Sequence, residues 1–448
     1  ALVVEGTAVR IEPERIGTVV DEATATARVL GALEGLEPMA MELPTQVEQP
    51  AIYAADLEQG VARANAALDG PIVAVFEDRT WNLQPTDLVQ FLTVEVVNGD
   101  SGANVEMTLD RDSLSAWLRD SFSGQVNRTP IDAQIAYRTG EGVVALEPST
   151  DGVTLRSNTF ADVVAGSFLG DQANIEVPVL RIPPEIDSSN LAALNINGLL
   201  GRGDSNYDNG QWDRDLNVEV GTQLMNGELI APGEEFSFNQ AVGEITAAAG
   251  FVDAGVIEAE TIGRGIGGGV CQVSTTVFRA ALMAGLPITE WHQHSLRLQG
   301  YERDGWTAGF DAAIFQQGSN PEWWADFKFL NDTDGYMLVQ SWTDYPSVIV
   351  EIFGNDDGRS VDFSGTQTAV PESDFENKEV VDPSKPAGYM EQTQWPAEAY
   401  AAWFTRTVTH PNGSVDQRLF ESIYDGSGNV YRVSPDMEGR SPASLFGP

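Results

Sequence analysis

Residues 263–282 read GRGIGGGVCQVSTTVFRAAL and contain Cys271, the single cysteine of the chain. Beyond it, Val273, Val277, Ala280, Ala281 and Ala284 recur at helical spacing, and Gly285 and Pro287 end the run. Cys271 therefore falls at or just before a helix N-terminus, where the partial positive charge favours thiolate over thiol. Gly265, Gly267, Gly268 and Gly269 let the backbone approach a substrate closely. Their amides, with that of Cys271, could hold a developing oxyanion. A nucleophile on a glycine turn before a helix suits acyl transfer.

Downstream, PITEWHQHSLRL (287–298) reads as a strand whose alternation puts Glu290, His292 and His294 on one face. Two of the three histidines of the chain lie there. A strand beside the cysteine helix would bring one imidazole to the sulfur as general base, and Asp311 in GFDAAIF would orient it. His294, beside the polar Ser295, is the better placed of the two. Three other readings compete. A lone cysteine is commonly a small buried hydrophobe. A phosphate loop would need a following Gly-Lys-Ser/Thr, which is missing. Zinc on Cys271, His292 and His294 lacks a second cysteine and tight spacing. No metal or cofactor is expected.

The 448 residues allow roughly two to four domains. With 25 Lys and Arg against 67 Asp and Glu, the net charge is −42. Such a surface repels nucleic-acid phosphates and anionic headgroups, so neither is an expected partner. A single cysteine forms no intrachain disulfide. No run of about 20 apolar residues is present to span a bilayer. The opening ALVVEGTAVRIEPERIG has neither Met nor a basic segment, as expected of a mature or trimmed chain.

The fold class expected is α+β and multidomain. Residues 1–189 hold a weak internal echo, beginning at Gly17 and again at Asp151. In each copy a short strand leads to an Ala- or Val-bearing helix and then an alternating strand, MAMELPTQV or IEVPVLRIP. Pro44 and Pro178 fall in those second strands, which marks them as edges. Between the copies, 56–68 and 110–122 read as helices, the latter capped by Asp110 or Asp112, and 71–88 reads as a hairpin. Residues 190–353 form a central domain rich in Gly, Asn and aromatics. Residues 354–395 read as an acidic, proline-marked linker, and 396–448 as a small β module with a hairpin at Pro411-Asn412-Gly413.

The motifs LNVEVGTQLMNGELIAPGEEFSFNQAVG (216–243), GGGVCQVSTTVFRAALMAGLPITEWHQHS (267–295), GFDAAIF (309–315) and DFKFLNDTDGYMLVQ (326–340) resemble the VanW family. The upstream repeats resemble the peptidoglycan-binding domain that often precedes VanW domains. The resemblance implies a protein of the bacterial cell envelope or surface, acting as an L,D-transpeptidase on peptidoglycan stem peptides. Cys271 would then be the nucleophile; the roles of His294 or His292 as base and of Asp311 as orienting group rest on the strand reading above. Gly268, Gly269, Gln272, Ser274 and Thr275 would line the substrate site, and Arg214 would take a stem carboxylate bidentately. Trp291, Trp306, Trp323 and Trp324 could line a groove. The chain lacks the Ser-His-Gly-Cys motif of the better-known L,D-transpeptidase fold. The competing class is a non-catalytic wall-binding or self-assembling surface protein, in which Cys271 is buried.

Overall fold

The computed structural model describes residues 2–36, 40, 42–99, 102–168, 170, 174–208, 210–258, 261–316, 324–371 and 376–442. It is α+β, with many small sheets. Two compact units emerge, Ala1–Ile131 with Thr150–Glu185, and Asp132–Ser149 with Ile186–Pro448. Among the described residues no helix is long and apolar enough to cross a membrane.

In the first unit both copies of the echo take one form. Strands Gly17–Val20 and Thr45–Glu48 pair antiparallel around helix Glu22–Gly35. Strands Gly152–Leu155 and Val179–Ile182 do so around helix Ser157–Phe168. Pro44 and Pro178 precede the second strands rather than lying in them, and their carbonyls accept from Asp21 N–H and Arg156 N–H. Residues 39 and 41 of the first alternating segment lie outside the described residues. The copies differ in burial. Phe160, Ala161, Val164 and Phe168 of the later helix are buried against Leu114, Leu118 and Phe122 of helix Arg111–Val126, whereas Val29, Leu30 and Leu33 of the earlier helix are exposed. Asp110 caps Arg111–Val126 by accepting from Asp112 N–H and Ser113 N–H.

The second unit is built on a four-stranded antiparallel sheet in the order Gly198–Asn206, Ser347–Gly354, Met337–Asp344, Glu228–Ile230. Helix Val270–Met283 carries the cysteine and lies on Gly198–Asn206 at very short range. A Cβ on Gly203 would sit 2.2 Å from the Thr276 carbonyl oxygen, and one on Gly201 would sit 2.3 Å from that of Ala280. Both obstacles are backbone and cannot swing away. Gly203→Ala is therefore expected to destabilise the unit by about 1–3 kcal/mol, read as a lower denaturant midpoint. A variant as stable as the parent would show that strand and helix are not in that contact. Arg202-Gly203-Asp204 is thus part of a core strand, with Arg202 paired to Glu351 at 3.0 Å.

The stretch expected as a linker contains, among the described residues, four short strands. Ser360–Phe363 and Gln367–Ala369 pair with Tyr400–Thr409, Lys378–Val381 runs parallel to Val430–Val433, and Met390–Gln394 pairs with the other edge of Val430–Val433. Its short polar strands lack internal periodicity, and distant partners supply their order. The hairpin of Tyr400–Thr409 and Val415–Tyr424 turns at 410–414 and sends Phe404 and Phe420 into the same core as the cysteine helix.

Candidate active site

Gly269, at φ 112°, is the N-cap of the cysteine helix, so Cys271 lies in its first turn. The glycines before it are explained by packing. A Cβ on Gly268 would meet the Gly255 carbonyl oxygen at 2.4 Å, and one on Gly269 would meet Arg214 Cγ at 2.8 Å. The Gly268 carbonyl accepts from Asn217 Nδ2 at 2.9 Å.

One face of the helix clamps the segment Gly309–Phe315 along its length. Ser274 Oγ donates to the Ala312 carbonyl at 2.6 Å, and Thr275 Oγ1 accepts from Ala312 N–H at 3.0 Å. Arg279 Nε donates to the Phe310 carbonyl at 3.0 Å, while its Nη1 and Nη2 reach the carbonyls of Asp204 and Tyr301 at 2.8 and 2.6 Å. The Cys271 Sγ stands 3.5 Å from the Ile314 carbonyl oxygen. Ser274 and Thr275 have no exposed surface, and their hydroxyls are spent on Ala312. The expectation that they line the substrate site is thereby corrected: they place Asp311.

Asp311 is the hub. Its Oδ2 accepts from His294 N–H at 3.0 Å and lies 2.7 Å from His294 Nδ1. Its Oδ1 accepts from the Tyr424 hydroxyl, and its carbonyl accepts from Trp291 Nε1 at 2.8 Å. Asp311 occupies Nδ1, which leaves Nε2 as the ring nitrogen for the Cys271 thiol, and His294 and Cys271 act on each other's titration. His294 and Asp311 are buried, and Cys271 is partly exposed.

His292 is elsewhere. The strand it was expected to extend ends at Glu290, because Trp291 turns to reach the Asp311 carbonyl. The His292 ring faces Glu290 at 3.0 Å, and Glu290 also binds Lys328 at 2.8 Å. Arg214 stands among the site residues but is already engaged. Its Nη2 donates to Gln272 Oε1 at 2.8 Å and its Nη1 to the Tyr207 carbonyl at 3.3 Å. Tyr301 places its ring 5.3 Å from that of His294. In place of a bidentate carboxylate clamp, Arg214 is a fixed positive charge near the sulfur, and the buried Gln272 holds it there. Trp306 underlies the Arg279 guanidinium at 4.5 Å, and Trp291 stacks on Phe278. Trp323 lies outside the described residues. Among those described, no His, Cys, Asp and Glu cluster could hold a metal.

The electrostatics favour an ion pair. Burial pushes the Cys271 thiol up, but the hydrogen bond and charge of His294, with Arg214, outweigh it and bring the thiol below its ordinary 9.0. Burial pulls His294 down, but Asp311 and Cys271 outweigh it and raise the imidazole to about 10. Burial raises Asp311, yet His294 and Tyr424 hold it below the usual carboxylate range. The signs follow by linkage. The His294 contribution to stability is complete below pH 6.5 and is lost as pH rises through about 10. The Cys271 contribution is complete above pH 9.0 and is lost as pH falls through its lowered value.

Tyr424, Arg279 and Tyr301 did not emerge from the sequence. The one local sign of Tyr424 is its place at the end of the alternating strand FESIY.

Residues 213–353 match the family described as VanW like protein. This segment is a VanW domain. It contains Cys271, His294 and Asp311 and stops short of Tyr424. The chain is 29% identical over 249 residues to the uncharacterized protein YoaR of Bacillus subtilis, covering 55% of this chain and 76% of that one. It is 28% identical over 145 residues to the vancomycin B-type resistance protein VanW of Enterococcus faecalis, covering 32% of this chain and 50% of that one. Among solved structures, an L,D-transpeptidase mutant of Enterococcus faecium overlaps 47% of this chain and 76% of its own at 11% identity and a TM-score of 0.20. An overlap of that quality carries no argument.

Proposed function

We propose that the VanW domain performs cysteine-dependent acyl transfer on peptidoglycan stem peptides, in the manner of an L,D-transpeptidase. The observation that carries the reading is the chain Cys271–His294–Asp311, a nucleophile, base and orienting carboxylate in one connected arrangement. The family match, and the resistance role in the name of the enterococcal relative, support a peptidoglycan substrate and a place in the cell envelope. The repeats of the first unit are read as wall-binding on their sequence pattern and their position ahead of this domain alone.

In the reaction the Cys271 thiolate attacks the carbonyl between the L- and D-centres of a tetrapeptide stem. Val270 N–H and Gln272 N–H already donate to the Gly267 and Gly269 carbonyls, which leaves the Cys271 N–H, in the first turn of the helix, for the developing oxyanion. As the intermediate collapses, the bond to the terminal D-residue breaks, and His294 gives its Nε2 proton to the leaving amine. A thioester remains on Cys271. An amine of a neighbouring stem then attacks it while His294 takes the amine proton, and the new amide leaves as the thiolate returns. Water in place of the amine makes the same site a hydrolase.

The test is intact-protein mass spectrometry after incubation with tetrapeptide muropeptides. The expected product is a stem lacking its terminal D-residue on Cys271, and no adduct on Cys271→Ala. No adduct on a native protein whose thiol alkylates readily would refute acyl transfer. Wall binding without an adduct would then identify a non-catalytic envelope protein.

A further inference from the structure

The VanW match ends at residue 353, yet the carboxylate that orients His294 is completed from far beyond it. The Tyr424 hydroxyl donates to Asp311 Oδ1 and accepts from Gly309 N–H at 2.9 Å, so one oxygen atom bridges the backbone and side chain of the same loop. Tyr424 is 2% exposed and alternates with the buried Phe420 and Ser422 on the inner face of its strand. The hairpin grips both partners of the pair. Phe404 stacks on Phe310 at 3.9 Å, next to Asp311. Asp425 N–H donates to the Ser295 carbonyl at 2.6 Å, next to His294. Phe420 stands edge-on to Trp291 at 5.5 Å, and Trp291 itself donates to the Asp311 carbonyl.

We infer that Tyr424 is a positioning residue for the Asp311–His294–Cys271 chain, and that the C-terminal hairpin is part of the catalytic unit. The inference rests on the acyl-transfer reading for its purpose, though not for its test. With Oδ2 committed to His294, the hydroxyl on Oδ1 fixes the rotation of the carboxylate and supplies a donor that favours its ionised form. Burial, with the adjacent Asp311, holds the phenol well above its ordinary value, so it stays a donor across neutral pH. The other charged or titratable groups about Asp311 are His294, Arg279 and Cys271 of the helix, and Tyr301. Tyr424→Phe leaves the buried carboxylate one donor short. The proton shared with His294 then shifts toward Asp311, the imidazole loses charge, and the thiolate loses its partner.

The experiment is the pH profile of Cys271 alkylation by iodoacetamide in the full chain. For Tyr424→Phe, the midpoint of thiolate formation is expected to move up toward that of free cysteine. Alkylation at neutral pH is expected to fall roughly tenfold, as the loss of one charge-assisted hydrogen bond implies. Val408→Ala, which loosens the same hairpin at its far end, is expected to lower the melting temperature and leave the profile in place. An unchanged profile in Tyr424→Phe, or an equal shift in Val408→Ala, would overturn the assignment. Since iodoacetamide replaces the stem peptide, failure of the acyl-transfer reading would leave this result standing.

Discussion

Asp311→Asn is expected to abolish nearly all thiol reactivity at neutral pH, with a loss of about a thousandfold or more in adduct formation. Asp311 receives three donors on two carboxylate oxygens, from His294 N–H, His294 Nδ1 and the Tyr424 hydroxyl. An amide offers one acceptor oxygen and one NH2 group. If its oxygen faces His294, the NH2 group meets the Tyr424 hydroxyl. If its oxygen faces Tyr424, two donors confront the NH2 group, and the imidazole relieves the clash by moving its proton to Nε2. In that tautomer no lone pair faces Cys271, and the base is lost. The residue is buried, so water cannot repair either arrangement. Alkylation and adduct formation should fall together while circular dichroism stays native. A loss smaller than about tenfold would remove Asp311 from the mechanism.

Arg279→Met is expected to cost about 3–5 kcal/mol of stability, read by denaturant unfolding. The guanidinium is 1% exposed and supplies a donor to each of the carbonyls of Phe310, Asp204 and Tyr301. Methionine fills much the same volume and leaves all three acceptors dry. Arg279→Lys should recover little, because one ammonium cannot span acceptors that a planar fork reaches together. The parent stability in either variant would mean that these carbonyls find other donors.

The locally encoded parts of this site were legible in the sequence. Helical spacing after Cys271 and breakers at Gly285 and Pro287 frame a helix observed as Val270–Met283, and Asp311 was found within its motif. The strand–helix–strand order of the echo also holds in both copies. Extending the strand from Ile288 to His294 failed because alternation describes a backbone paired with a neighbour. From Trp291 on, the chain bonds to Asp311 instead. Ser274 and Thr275 carry hydroxyls at suggestive positions, and composition cannot say whether a hydroxyl will meet a ligand or the Ala312 backbone. Tyr424 was illegible for a third reason: it meets Asp311 across 113 residues, with no periodicity to connect them.

That separation has a temporal meaning. A chain emerging from the ribosome presents Cys271 well before Tyr424. Until the last strand of the hairpin docks, the thiol is held by a base with an unsecured carboxylate. Under the proposed acyl-transfer reading, activation waits until Tyr424 has been made and docked, and a protease that removes the hairpin would disarm the site while leaving residues 213–353 intact.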